Sequence, residues 1–265
     1  MKRDLKTIFL AIFNFLTLIL LLGFNIAISV LPLNSISTKA VSDKYPALIV
    51  PYSVTFSIWF IIYILLVLFV LNQLNFIFKR DEKKRVLIEK VGVLFFLSSV
   101  LNVLWLFCWH YEKLLLSVIV IILLLIILAI LYIKLGIGKK DFSESLIFVK
   151  TPVSVYLAWI SIATIANISS YIGSLKLYLF DNYEVLWTVL VIIISLFLAI
   201  FMVLKNRDII FALVFLWAYI GIIIKQLIPN YNNSIPIILV TIFSIFILTF
   251  FVIYNEIKEY KNKKS

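Results

Sequence analysis

The segment 156–167, YLAWISIATIAN, combines a phenol, an indole, a small residue and an amide, and it is the strongest indication of function in the sequence. Spacing of i, i+3, i+7 and i+11 places residues on one face of a helix, and here those residues are Tyr156, Trp159, Ala163 and Asn167. The segment lies within a hydrophobic run that is long enough to cross a membrane, where an amide without a hydrogen-bond partner costs several kcal/mol. We therefore expect this face to point towards a neighbouring helix or a cavity.

Composition indicates that the whole chain is a membrane protein. The sequence is 64% hydrophobic and 14% charged, with a mean hydropathy of +1.16, far from the average of soluble proteins. A helix needs about 20 apolar residues to cross a bilayer. The sequence predicts an all-α polytopic fold with eight spans, at 8–30, 52–74, 91–109, 114–134, 149–171, 185–204, 208–228 and 236–256.

The distribution of basic residues predicts the orientation of these spans. Of the 24 Lys and Arg residues, 19 lie in the two termini and in alternate connections, which include a predicted loop at 79–90. Cytoplasmic loops carry such an excess, so we expect a multi-pass protein of the cell membrane with both termini in the cytoplasm. The net charge of +11 then reflects topology and anionic lipid, and predicts no nucleic-acid partner. Cys108 is the only cysteine, so no intramolecular disulfide can form.

Two further spans carry similar side chains. The second span has Trp59 and Tyr63, and the third has Asn102 and Trp105. With a rise of about 1.5 Å per residue, these side chains and those of the fifth span share the outer half of the membrane. The long outer segment 31–51 would cover them as a lid.

Several of these residues also have a purely structural interpretation. Trp109 at the membrane boundary is typical of an interfacial aromatic belt, and the adjacent His110 is typical of a structural residue. Asn102 and Asn167 could bond each other across a helix pair, which would not exclude a ligand site. No acidic residue lies well inside a span, and no phosphate-binding loop, metal cluster or nucleophile–base pair is present in the sequence. We therefore predict no enzymatic activity, no metal site and no cofactor.

Three motifs resemble the TspO/MBR family, the tryptophan-rich sensory proteins related to the mitochondrial translocator protein. The second span has P-x7-W-x3-Y from Pro51, the third has LNxxW from Leu101, and the fifth has Y-x-x-W-x3-A-T-x-x-N from Tyr156. The resemblance covers about residues 8–172, and a segment WAYIGIIIKQ at 217–226 is similar in longer bacterial members. One departure is Thr55, where the family has an aromatic residue.

The resemblance implies a domain organisation and a ligand. A five-helix bundle would occupy residues 1–172, and three further helices with a basic tail would occupy 173–265. Family members bind tetrapyrroles, and some bind cholesterol, in a pocket beneath the first loop. The implied ligand-binding residues are Trp59, Tyr63, Asn102, Trp105, Tyr156, Trp159, Ala163 and Asn167.

The sequence therefore favours a membrane protein that binds a hydrophobic small molecule. The expected partners are a porphyrin-like compound and the lipid bilayer, and a homodimer is possible. An alternative is a structural or regulatory subunit for another membrane protein, in which the aromatic faces serve only for helix packing. A porphyrin-modifying enzyme ranks below both.

Overall fold

A computed structural model describes residues 2–31, 33–79, 81–139, 145–228, 231 and 233–262. Within these ranges the secondary structure is helical, without strands. The α-helices are α1 (Lys2–Val30), α2 (Thr38–Lys44), α3 (Ile58–Lys79), α4 (Glu82–Val91), α5 (Leu94–His110), α6 (Leu114–Leu135), α7 (Thr151–Ser174), α8 (Tyr178–Asn206), α9 (Ile209–Gln226) and α10 (Ile235–Asn262).

The predicted all-α polytopic fold is confirmed. Seven helices in the described part of the chain are long and apolar enough to cross a membrane, and an eighth span results if the bent pair α4–α5 counts as one. The eight predicted spans correspond in order to α1, α3, α5, α6, α7, α8, α9 and α10. Composition was sufficient for this prediction because lipid leaves a chain segment few alternatives to a helix.

The segment 79–90, predicted as a loop, instead contains the amphipathic helix α4. Its first turn is capped by Asp81, whose carboxylate accepts a hydrogen bond from the backbone nitrogen of Lys83, and its apolar residues Leu87, Ile88 and Val91 are buried. Gly92 ends the helix at φ 50°, and α5 continues at an angle of 41° to α4. The segment was predicted as a loop because of its high charge, and the helix buries only one narrow apolar face.

The described residues form two compact units. The first comprises Met1–Lys44 and Ile58–Ile160, and the second comprises Tyr45–Ser57 and Ser161–Ser265. The boundary lies within α7, whereas the resemblance implied a division after residue 172. The division after residue 172 was drawn from the extent of the five-helix bundle in the family, not from contacts within this chain, and it stays a prediction.

In the first unit α1 packs against α3 and α5, and α5 packs against α6. A buried amide pair joins two of these helices, because Nδ2 of Asn14 donates to Oε1 of Gln73 at 2.9 Å. Amide pairs of this kind hold helices together in lipid, each at about 0.6–2 kcal/mol. The unit is therefore a helix bundle with polar links inside its core.

In the second unit α8, α9 and α10 pack against one another. The hydroxyls of Ser195 and Tyr219 join α8 to α9 at 2.7 Å. A 3₁₀-helical turn, Ser53–Ser57, also packs on α9. The second unit thus contains the last three spans together with the stretch of chain that precedes α3.

Candidate functional site

Four predicted site residues of the first unit form an aromatic cluster around Trp59. The ring centroid of Trp59 lies 5.7 Å from the centroid of Tyr63, 6.4 Å from that of Trp105 and 6.1 Å from that of Tyr156. The rings of Trp59 and Trp105 are nearly parallel, with 23° between their planes, whereas Tyr156 meets Trp59 edge-on. Such pairs stabilise one another by about 0.5–1.5 kcal/mol each beyond their buried area. Helices α3, α5 and α7 thus bring these four rings together, while their role as ligand-binding residues stays a prediction.

The polar side of the cluster includes a residue that the sequence analysis did not single out. The Tyr63 hydroxyl donates to Oδ1 of Asn25 at 2.6 Å, and Nδ2 of Asn25 donates to Oδ1 of Asn102 at 3.2 Å. The same Nδ2 also donates to the backbone carbonyl of Leu21 at 2.8 Å. Asn25 therefore bridges α3 and α5 from α1, and its amide within an apolar span was the signal that could have identified it.

Two buried polar atoms of the cluster form no hydrogen bond of good geometry among the described residues. They are Nδ2 of Asn102 and the hydroxyl oxygen of Tyr156, and both residues are buried. The two side chains are close neighbours. Leaving polar groups unsatisfied in such surroundings is costly, and both groups can donate a hydrogen bond to an acceptor.

The remaining predicted site residues lie further along α7. Trp159 is buried in the first unit. Ala163 is half-buried and Asn167 is buried, and both belong to the part of α7 in the second unit. Their membership of one site with the aromatic cluster stays a prediction.

The first part of the segment 31–51 is held at the end of α5. The indole nitrogen of Trp109 donates to the backbone carbonyl of Thr38 at 3.1 Å, and the Thr38 hydroxyl lies 2.9 Å from Nε2 of His110. Lys44 forms an ion pair with Glu112 at 2.6 Å. His110 thus has a structural contact as expected, whereas Trp109 is buried rather than placed in an interfacial belt, because α2 covers it.

An apolar cavity of about 180 Å³ lies between α1 and α5. It is lined by Thr17, Leu20, Leu21, Phe24, Phe96, Ser99, Val100, Val103 and Leu104. None of the eight predicted site residues lines it. The cavity is therefore distinct from the aromatic cluster.

In the described part of the chain, no group of three or more His, Cys, Asp or Glu residues could hold a metal ion.

The comparison with known families agrees with the fold and the motifs. The family model described as TSPO-like protein matches residues 11–254 and so includes the last three spans. No curated protein and no solved structure matches the chain. The chain belongs to the TSPO-like protein family, which confirms the resemblance found in its sequence motifs.

Proposed function

We propose that this protein binds a porphyrin-like tetrapyrrole within the membrane, with Trp59, Trp105 and Tyr156 in contact with the ligand. Membership of the TSPO-like family suggests a membrane ligand-binding protein in general terms. The observation that carries the finer proposal is the aromatic cluster together with two buried donors that form no hydrogen bond of good geometry. The proposed role is binding alone, and the absence of catalytic activity stays a prediction.

The chemistry of the cluster fits such a ligand. Indole and phenol rings offer flat apolar faces, and a porphyrin macrocycle is a flat ring system of the same character. Many natural porphyrins carry carboxylate side chains, which accept hydrogen bonds. In this proposal Nδ2 of Asn102 and the hydroxyl of Tyr156 donate to such an acceptor, which would satisfy both groups at once.

Replacing Tyr156 with phenylalanine tests this role. The change removes one buried hydroxyl that forms no hydrogen bond of good geometry and leaves the ring in place, so the free energy of unfolding should stay equal or rise. Affinity for a dicarboxylic porphyrin should fall about fivefold, the effect of one lost hydrogen bond. Titration of the purified protein in detergent, followed by porphyrin absorbance, measures it.

A porphyrin without acidic side chains is the matched control ligand. Its affinity should be the same for the parent protein and for the Tyr156→Phe variant, because it offers no acceptor to the hydroxyl. Equal losses of affinity for both porphyrins would argue against the proposed hydrogen bond.

The packing alternative also has an observation in its favour. The rings of the cluster contact one another, and Asn25 links Asn102 to Tyr63, so the same residues join three helices. In a structural or regulatory subunit, changes in the cluster would lower stability without any effect on a small molecule. Measuring stability and porphyrin affinity on the same variants distinguishes the two functions.

We further propose the orientation predicted from the basic residues, with both termini in the cytoplasm of a cell-membrane protein. Ser37 and Lys83 are both exposed, so a cysteine at either position can react with a reagent that reaches it. In a Cys108→Ala background, a membrane-impermeant maleimide added to intact cells should label Ser37→Cys and not Lys83→Cys. The reverse pattern would invert the orientation.

A further inference from the structure

The segment 45–57 is held by α8 and α9 through its backbone. The amide nitrogen of Tyr52 donates to the carbonyl of Gly221 at 2.9 Å, and the indole nitrogen of Trp217 donates to the carbonyl of Thr55 at 3.0 Å. Both partners lie on α9, within the segment 217–226 that is similar in longer family members. Helix α9 thus contacts the segment at two points, through residues that are four apart on the helix and three apart in the segment.

The other end of the segment is held by two further side chains. At Leu48 the amide nitrogen donates to Oε1 of Glu184 at 3.2 Å, and the carbonyl accepts from Nε2 of Gln226 at 3.5 Å. Gln226 is buried, and its Oε1 accepts from the amide nitrogen of Ser234. Irregular backbone at a membrane boundary needs partners for its polar groups, and α8 and α9 supply them here.

A close approach between α9 and the segment requires a glycine. A Cβ atom on Gly221 would lie 2.1 Å from Oγ1 of Thr55 and 2.9 Å from Cβ of Pro51, closer than van der Waals contact permits. Thr55 is the position where the sequence departs from the aromatic residue of the family. The small Thr55 side chain and the missing side chain of Gly221 therefore fit each other, and a ring at position 55 would collide with α9.

The held segment leads directly into the helix that carries Trp59. Residues Ala47 to Val50 are buried, and the 3₁₀ turn Ser53–Ser57 continues into α3 at Ile58. The carbonyl that Trp217 binds belongs to Thr55, one helical turn before Trp59.

We propose that α8 and α9 anchor the segment 45–57 and thereby fix the start of α3, with Trp217, Gly221 and Gln226 of α9 as positioning residues. Any effect of this anchor on ligand binding rests on the proposed function, because the anchor would act on the ligand through the position of Trp59. The anchor itself is independent of any ligand.

Two buried thiol probes measure the anchor directly. Val50→Cys reports on the segment and Ile58→Cys on the first residue of α3, each in a Cys108→Ala background of the full chain in detergent. Each probe is combined with Gly221→Ala, which adds the colliding Cβ, or with Trp217→Phe, which keeps a ring and removes only the donor. Maleimide labelling should be about tenfold faster with Gly221→Ala and about fivefold faster with Trp217→Phe.

The chain offers a matched control for each change. Gly23 lies within α1 and a Cβ there would meet nothing within 4 Å, so Gly23→Ala should leave both labelling rates as in the parent. Trp187→Phe also removes one indole donor, whose acceptor is the Ser169 hydroxyl on α7. Elution as one symmetric peak from a sizing column shows that each variant is folded.

The proposal is supported if both probes are labelled faster in the two α9 variants and are labelled as in the parent in the two control variants. Unchanged labelling, or equal acceleration by the controls, overturns the anchor. Faster labelling at Val50→Cys with no change at Ile58→Cys overturns the link to α3. A porphyrin titration of the same variants should show weaker binding, and if the parent protein binds no porphyrin, the proposed function fails while the labelling still decides the anchor.

Discussion

Replacing Trp59 with alanine should weaken porphyrin binding by about 1–3 kcal/mol, which corresponds to an affinity loss of about 5-fold to 150-fold. Trp59 contacts three other rings of the cluster, so in the proposed site its indole would be the central flat surface. The loss should be at least as large as that expected for Tyr156→Phe. Porphyrin absorbance is the suitable measurement, because it does not depend on the number of tryptophans left in the protein.

Two further variants separate binding from packing. Trp59→Phe retains an aromatic face and should recover most of the lost affinity. Trp187→Ala removes a half-buried tryptophan that contacts Ser169 and is not a predicted site residue, so it should leave porphyrin affinity unchanged. If Trp59→Ala lowers the free energy of unfolding but binds porphyrin as well as the parent does, the cluster serves packing and the proposed site is wrong.

Only part of the aromatic cluster follows from local geometry. Trp59 and Tyr63 are four residues apart, so they share a face of any helix that contains them, and in the structure their ring centroids lie 5.7 Å apart. The contacts between rings on α3, α5 and α7 depend in addition on how the helices pair. Composition fixed the class of fold, since hydrocarbon permits few backbone conformations.

The contacts of Asn25 and Asn102 required knowledge of how the helices pair. The sequence analysis considered Asn167 as a partner of Asn102, whereas the described acceptor on Asn102 receives its hydrogen bond from Asn25. Every amide within an apolar span needs a partner, but the spacing along one helix does not identify which helix supplies it. Asn25 could therefore have been named as a candidate from the sequence, but the helices that it links could not have been predicted.

The anchoring of the segment 45–57 was beyond sequence reasoning. The hydrogen bond from Trp217 to the carbonyl of Thr55 joins residues that are 162 positions apart. Irregular segments have no periodicity, so nothing in their own residues indicates the surface on which they pack. The departure at Thr55 was visible in the sequence, whereas its close approach to Gly221 was not.

Replacing Ala163 with phenylalanine should abolish porphyrin binding while the protein still folds. Ala163 follows Trp159 by four residues on α7, so it shares the helix face of the predicted site and leaves space beside the indole. A phenyl ring at this half-buried position would occupy the volume that a macrocycle needs. The measurement is a porphyrin titration with the Ala163→Phe protein, next to its unfolding in detergent.

Ile165→Phe is the matched control, because residue 165 is also half-buried and lies about 200° around the helix from Ala163. This variant adds a ring to the opposite face of α7 and should bind porphyrin as the parent does. Loss of binding in both variants would point to a general disturbance of α7. Normal binding by Ala163→Phe would remove Ala163 from the site, and if Trp59→Ala also binds normally, the ligand must lie elsewhere in the protein.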